Sequence, residues 1–126
     1  MLFRSAKVLE AERVIAVGHN DARLKLAREF GATHTLNSHN DGVAQEVMEL
    51  TKGGSMSVVE AVGNQASMDL AIDVARPGGT ISFVGVPHNV KEMRLRPIFL
   101  KNVSLHGALA PEIGRASCRE RVCLYV

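Results

Sequence analysis

The residues of this 126-residue chain that could do chemistry are five histidines, two cysteines and a set of glycines at repeated positions. None of His19, His34, His39, His88 and His106 stands at metal-ligand spacing from a neighbouring Cys, His or acid, and an open zinc site still needs three protein ligands. No metal is therefore expected on this polypeptide. Cys118 and Cys123 lie five apart, which fits neither a CxxC redox pair nor a zinc knuckle, and no role is assigned to them. No catalytic residue is assigned on this chain. The glycines are more informative: Gly18, Gly63 and Gly85 each sit within or just beyond an apolar, β-branched run. In open α/β sheets ligands lie beyond the carboxyl ends of the strands, where glycine lets a bulky group approach the backbone. Three such positions point to a cofactor crevice.

The elements that would position these glycines alternate along the chain. Val14–Val17 reads as a short buried strand, and Asn20 or Asp21 can cap a helix whose apolar residues are Leu24, Leu26, Ala27 and Phe30, with Gly31 as its stop. Thr33–Leu36 is a candidate second strand. Val43, Val47 and Leu50 give a helical face that ends before Gly53-Gly54. Val58–Val62 is the next strand, and Ser67–Arg76 the next helix, with Leu70, Ala71 and Val74 inward. Pro77 ends that helix, and Gly78-Gly79 turns the chain into a strand over 80–86. A short helix near Pro97–Leu100 and a strand over 103–110 complete a βαβαβ pattern, hence an α/β fold with a parallel sheet and flanking helices.

Bulk properties narrow the function classes. The chain is 46% hydrophobic and has room for one ordinary domain. Its net charge is +2, but eleven Lys or Arg balance eleven Asp or Glu between Ala6 and Pro111, so the body is neutral and nucleic acid is not an expected partner. No apolar run approaches the roughly 18 residues of a membrane span, and the N-terminal residues do not read as a signal peptide. A cytoplasmic setting is the default expectation.

The segments RVIAVGHNDARLKLAREFGATHTLN, VVEAVG, ARPGGTISFVGVP and LRPIFLKNVSLHGA together resemble the nucleotide-binding lobe of the zinc-type medium-chain alcohol dehydrogenases. The resemblance covers residues 6–111. It implies a truncated Rossmann-like fold: the chain begins after the first strand and the glycine-rich loop, and zinc belongs to a catalytic lobe that also precedes it. The string EIGRASCRERV resembles a translated sequencing-adapter read-through, and LFRS the complementary end. Residues 1–5 and 112–126 are accordingly expected to be non-native termini, set aside from fold reasoning.

In the doubly wound strand order the absent first strand would lie at the centre of the sheet. Its neighbours would then close up against each other, be completed by another copy, or fail to fold alone.

The resemblance also assigns a cofactor, NADP or NAD. A carboxylate ending the second strand of the family fold accepts bonds from the ribose of NAD and would repel a 2′-phosphate. Gly18 stands there, which removes the repulsion and favours NADP; His19, Asn20 and Arg23 are the donors near enough to read the phosphate. Arg23 could also cover the adenine or face solvent, and Asp21 would oppose a phosphate unless it is held elsewhere.

By resemblance, Ala61, Val62 and Gly63 line the adenosine side, Val84, Gly85 and Val86 lie by the nicotinamide, and Ala108, Leu109 and Ala110 present backbone to its carboxamide. Glu60 interrupts an apolar strand and should be paired or at the crevice mouth. His88 and His106 read as structural or solvent-facing, His34 and His39 as surface loop residues.

The expected function is that of an oxidoreductase fragment, with hydride passing between the nicotinamide and an alcohol or carbonyl. The fragment alone is expected to be inactive, with a homo-oligomer compatible with its last strand. A zinc-free quinone or enone reductase of the same superfamily, a non-enzymatic nucleotide-binding module and, more remotely, a methyltransferase-like domain are the alternatives.

Overall fold

The computed structural model describes residues 2–107 and 123–125. The elements run α1 (Leu2–Val8), β1 (Ile15–Gly18), α2 (Asp21–Glu29), β2 (His34–Asn37), α3 (Val43–Leu50), β3 (Ser55–Glu60), α4 (Gln65–Val74), β4 (Ala75–Phe83), α5 (Leu95–Leu100), β5 (Ser104–Gly107) and β6 (Cys123–Tyr125).

One sheet takes all six strands in the order β2-β1-β6-β3-β4-β5. β1 pairs in parallel with β2, β3 with β4, and β4 with β5. The expected α/β fold is therefore present, and the break in the doubly wound order falls in the middle of the sheet, between β1 and β3.

That central position is filled from the chain itself. β6 runs antiparallel to both neighbours, with Ile15, Ala16 and Val17 opposite Tyr125, Leu124 and Cys123, and with Val58 and Val59 opposite Tyr125 and Leu124. Unpaired amides of two central strands are costly to bury, and three residues of extended backbone satisfy part of that need from each side. The strand that fills the gap thus comes from the residues set aside above as a non-native terminus, and at the other end Phe3 is buried with Ala6 in the core beneath α2.

The sheet separates two cores because successive side chains of a strand face opposite ways. Ile15 and Val17 point to the larger core with Val47, Val58, Met68, Ile72 and Ile81, beneath α3, α4 and α5. Val14 and Ala16 point to the smaller one with Phe3, Leu24 and Ala27, beneath α1 and α2. Leu26, read from the sequence as part of the inward face of α2, is 40% exposed.

Several boundaries differ from the sequence reading: α4 spans Gln65–Val74 in place of Ser67–Arg76, and β4 ends at Phe83, short of Val86. β3 starts three residues earlier and ends at Glu60, and β4 takes in Ala75–Gly79, with a register irregularity between Ser55 and Ser57 opposite Arg76–Gly79. Tertiary contacts hold this stretch in the sheet: Gly78 N–H donates to the Lys101 carbonyl at 2.8 Å, and Lys101 Nζ donates to the carbonyls of Ile72, Asp73 and Ala75 at 2.9 to 3.1 Å. The ammonium thus satisfies carbonyls that the end of α4 leaves without partners.

Candidate functional site

β1, β3 and β4 point the same way, since β6 is antiparallel to both β1 and β3, so their carboxyl ends share one edge of the sheet. The sequence-derived candidates fall into two groups along that edge.

The first group surrounds the end of β1. Gly18 ends the strand, and Asn20 caps α2, its side-chain oxygen accepting from Arg23 N–H at 3.1 Å. A capping residue between an apolar run and a helical pattern is legible in sequence, and Asn20 is the cap. That use turns the Asn20 side-chain oxygen toward backbone. The Arg23 guanidinium is exposed and has no hydrogen-bond or ion-pair partner among the described residues.

Asp21, the acid that would oppose a phosphate, accepts a 2.8 Å bond from the Asn37 side-chain amide at the end of β2. The Asn37 side-chain oxygen in turn accepts from His39 N–H at 3.0 Å. This turn carries the His39 ring to an edge-on contact with His19, centroids 6.0 Å apart. Sequence reading placed His39 on the surface, and it is exposed there, but missed this partnership. The one available signal was the Asn-x-His turn of Asn37–His39 directly after a strand. His34 differs from its expected loop setting: it opens β2, half-buried, beside the Thr33 hydroxyl.

The second group joins the ends of β3 and β4. Glu60 is fully buried, and its Oε1 accepts from Val62 N–H at 2.7 Å, Gly63 N–H at 2.8 Å and the Ser67 hydroxyl at 2.7 Å. Its backbone carbonyl accepts from Val84 N–H at 2.8 Å and Gly85 N–H at 3.1 Å. Two backbone amides and the Ser67 hydroxyl thus partner Glu60 Oε1, while Oε2 is buried without a hydrogen-bond partner among the described residues. These bonds draw Ala61–Gly63 against Val84–Val86 and engage the amides of four candidates.

The glycines here are required by that approach. Gly63 has φ +79°, and a Cβ on it would overlap the Val86 carbonyl oxygen; a Cβ on Gly85 would stand 2.6 Å from Gly63 N. Gly18 is different. A Cβ there would meet only Leu24 Cδ2, at 3.5 Å, an ordinary contact. The protein's own packing does not demand glycine at position 18.

Ala108, Leu109 and Ala110 lie outside the described residues. His88 and His106 are exposed, His106 on β5.

The residues at the end of β1 suit a nicotinamide dinucleotide in their chemistry: a Cβ at Gly18 would meet no backbone, Asp21 is engaged by Asn37, and His19, Arg23 and His39 are exposed. Among the described residues, no group of three His, Cys, Asp or Glu is placed to hold a metal ion. No helix among them is long and apolar enough to cross a membrane.

Residues 1–123 match the family described as zinc-binding dehydrogenase. An alcohol dehydrogenase of Cupriavidus necator is 44% identical over 82 residues, 64% of this chain and 22% of that protein. Alcohol dehydrogenase 1 of Zea mays is 37% identical over 106 residues, 81% of this chain and 28% of that protein. Among solved structures, benzyl alcohol dehydrogenase from Acinetobacter calcoaceticus superposes with a TM-score of 0.79 at 28% identity, over 85% of this chain and 30% of that one. An alcohol dehydrogenase from Thermus sp. ATN1 superposes with a TM-score of 0.78 at 31% identity, over 86% and 32%. The chain thus spans roughly a quarter to a third of the length of these proteins.

Proposed function

The chain belongs to the zinc-binding dehydrogenase family, and from that premise we propose that it is the nucleotide-binding part of an NADP-linked dehydrogenase acting on an alcohol or its carbonyl. The nicotinamide supplies hydride transfer when bound. This chain's residues would hold the nucleotide. Gly18 leaves space at the ribose, while His19 and Arg23 offer donors to a 2′-phosphate, with Asn20 ordering the turn between them. Ala61, Val62 and Gly63 would form the adenosine wall, and Val84, Gly85 and Val86 the nicotinamide wall, with Ala108–Ala110 beyond. Glu60 fixes both walls by holding their amides.

The observation that carries the choice of NADP is Gly18 itself. No contact within the protein requires glycine there, and a carboxylate at that point would repel the extra phosphate. On this reading zinc and the substrate pocket belong to another part of the enzyme, residues 6–111 form the nucleotide-binding unit proper with foreign flanks at 1–5 and 112–126, and the setting is cytoplasmic. The isolated chain would have no turnover. Fluorescence titration of the full-length dehydrogenase with NADPH and NADH tests the assignment: tighter NADPH binding is expected, and clearly tighter NADH binding defeats it.

A further inference from the structure

The β2–α3 loop brings to the end of β1 a residue that the chain pattern does not mark. His39 meets His19 edge-to-face at 6.0 Å, both rings exposed. Asn37 fixes the meeting from one side chain: its oxygen takes the His39 N–H at 3.0 Å while its amide holds the Asp21 carboxylate at 2.8 Å. One residue therefore presents an imidazole and engages the acid that would compete with an anion.

We infer that His39 is a further specificity-determining residue, forming with His19 a proton-linked imidazole pair that closes on the 2′-phosphate of the bound nucleotide. The inference rests on the NADP reading above and deepens it.

The chemistry follows from charge. A phosphate dianion reached by both rings favours their charged forms, because each ring can then donate an N–H to it. Binding of the phosphate then takes up protons, and affinity must fall as pH rises through the range in which imidazole loses its charge.

The other charged groups around the pair are few. α2 contributes Asp21, engaged by Asn37, and Arg23, whose charge does not change across this range. The β2–α3 loop contributes Asp41, and α3 has Glu46 in its first turn. β1 carries no charged side chain. Carboxylates remain ionised from pH 6.5 to 8.5 and a phosphate monoester is largely dianionic, with its second pKa near 6. The imidazoles are left as the groups whose titration would set the slope.

The test compares adenosine 2′,5′-bisphosphate with adenosine 5′-monophosphate, which differ by the 2′-phosphate alone, on the 126-residue chain. Binding is followed by calorimetry and by the imidazole C–H resonances at pH 6.5 and 8.5. The preference for the bisphosphate should drop by about ten-fold between the two pH values, the change expected when about half a proton, averaged over those two pH units, is taken up on binding. His39→Gln should remove most of the preference at pH 6.5 and most of the slope. His39→Lys should keep the preference at pH 8.5, because ammonium retains its charge there. A preference that is equal at both pH values and survives His39→Gln overturns the inference and leaves the NADP reading standing. No preference for the bisphosphate at either pH overturns that reading and the inference with it. Failure of both nucleotides to bind is read on the full-length dehydrogenase, where it overturns the NADP reading and the inference with it.

Discussion

The Ser67 hydroxyl donates to the buried Glu60 carboxylate at 2.7 Å, joining the first turn of α4 to the end of β3. The same hydroxyl accepts from Asn64 N–H at 3.3 Å, while Asn64 accepts from Ser67 N–H at 2.9 Å, so a helix cap and a strand end share one residue. Ser67→Ala should cost about 1.5–3 kcal/mol in chemical denaturation, the range for a lost hydrogen bond to a charged group, since the Asn64 side chain still caps Ser67 N–H. Glu60→Ala should cost more, about 3 kcal/mol or above, since it strands three donors in the interior. If Glu60→Ala proves no worse than Ser67→Ala, the carboxylate does not organise the turn.

The glycines at the strand ends should respond differently to substitution. Gly63→Ala would drive a methyl into the Val86 carbonyl at positive φ, a loss of about 3 kcal/mol or more, in the range of strained and overpacked sites. Gly18→Asp should leave stability within about 0.5 kcal/mol, as at other open positions. In the full-length enzyme it should instead shift preference from NADPH to NADH. Equal destabilisation by the two changes would show that Gly18 is structural.

The central strand is testable by covalent trapping. Val17 and Cys123 are Cα partners in antiparallel register, and such pairs lie about 4.5–5.5 Å apart, within the span of a disulfide. In a Cys118→Ser background, Val17→Cys should form an intrachain disulfide under mild oxidation, seen as a monomer lacking free thiols by mass spectrometry. A product linked only between chains would mean that β6 is exchanged between copies.

Lys101 should matter more than a surface lysine ordinarily does. Lys101→Met keeps the alkyl stem but removes three bonds to the carbonyls of Ile72, Asp73 and Ala75. A loss of about 1–2 kcal/mol is expected, in the range for charged hydrogen bonds at a helix C-terminus. Denaturant midpoints of the two proteins measure it. A change below a few tenths would mean that water serves those carbonyls equally well.

Much of the architecture is local and so could be read from the chain. Apolar runs ending in glycine, the Asn20 cap and the Val43 and Val47 face each depend on residues within a turn or two of one another, and each stands where its pattern puts it. The candidate walls at Ala61–Gly63 and Val84–Val86 were legible for the same reason, as strand ends. The purpose of Gly63 and Gly85 was not, because two segments more than twenty residues apart press together there.

By itself, then, the sequence determined the α/β alternation and the strands that end in glycine, since period and turn chemistry act over short range. Only the tertiary structure decided what fills the sheet between β1 and β3, which groups satisfy Glu60, and that His19 and His39 meet. Those outcomes depend on which unsatisfied backbone and side-chain groups reach one another after the sheet has formed, and no residue's neighbours along the chain specify that.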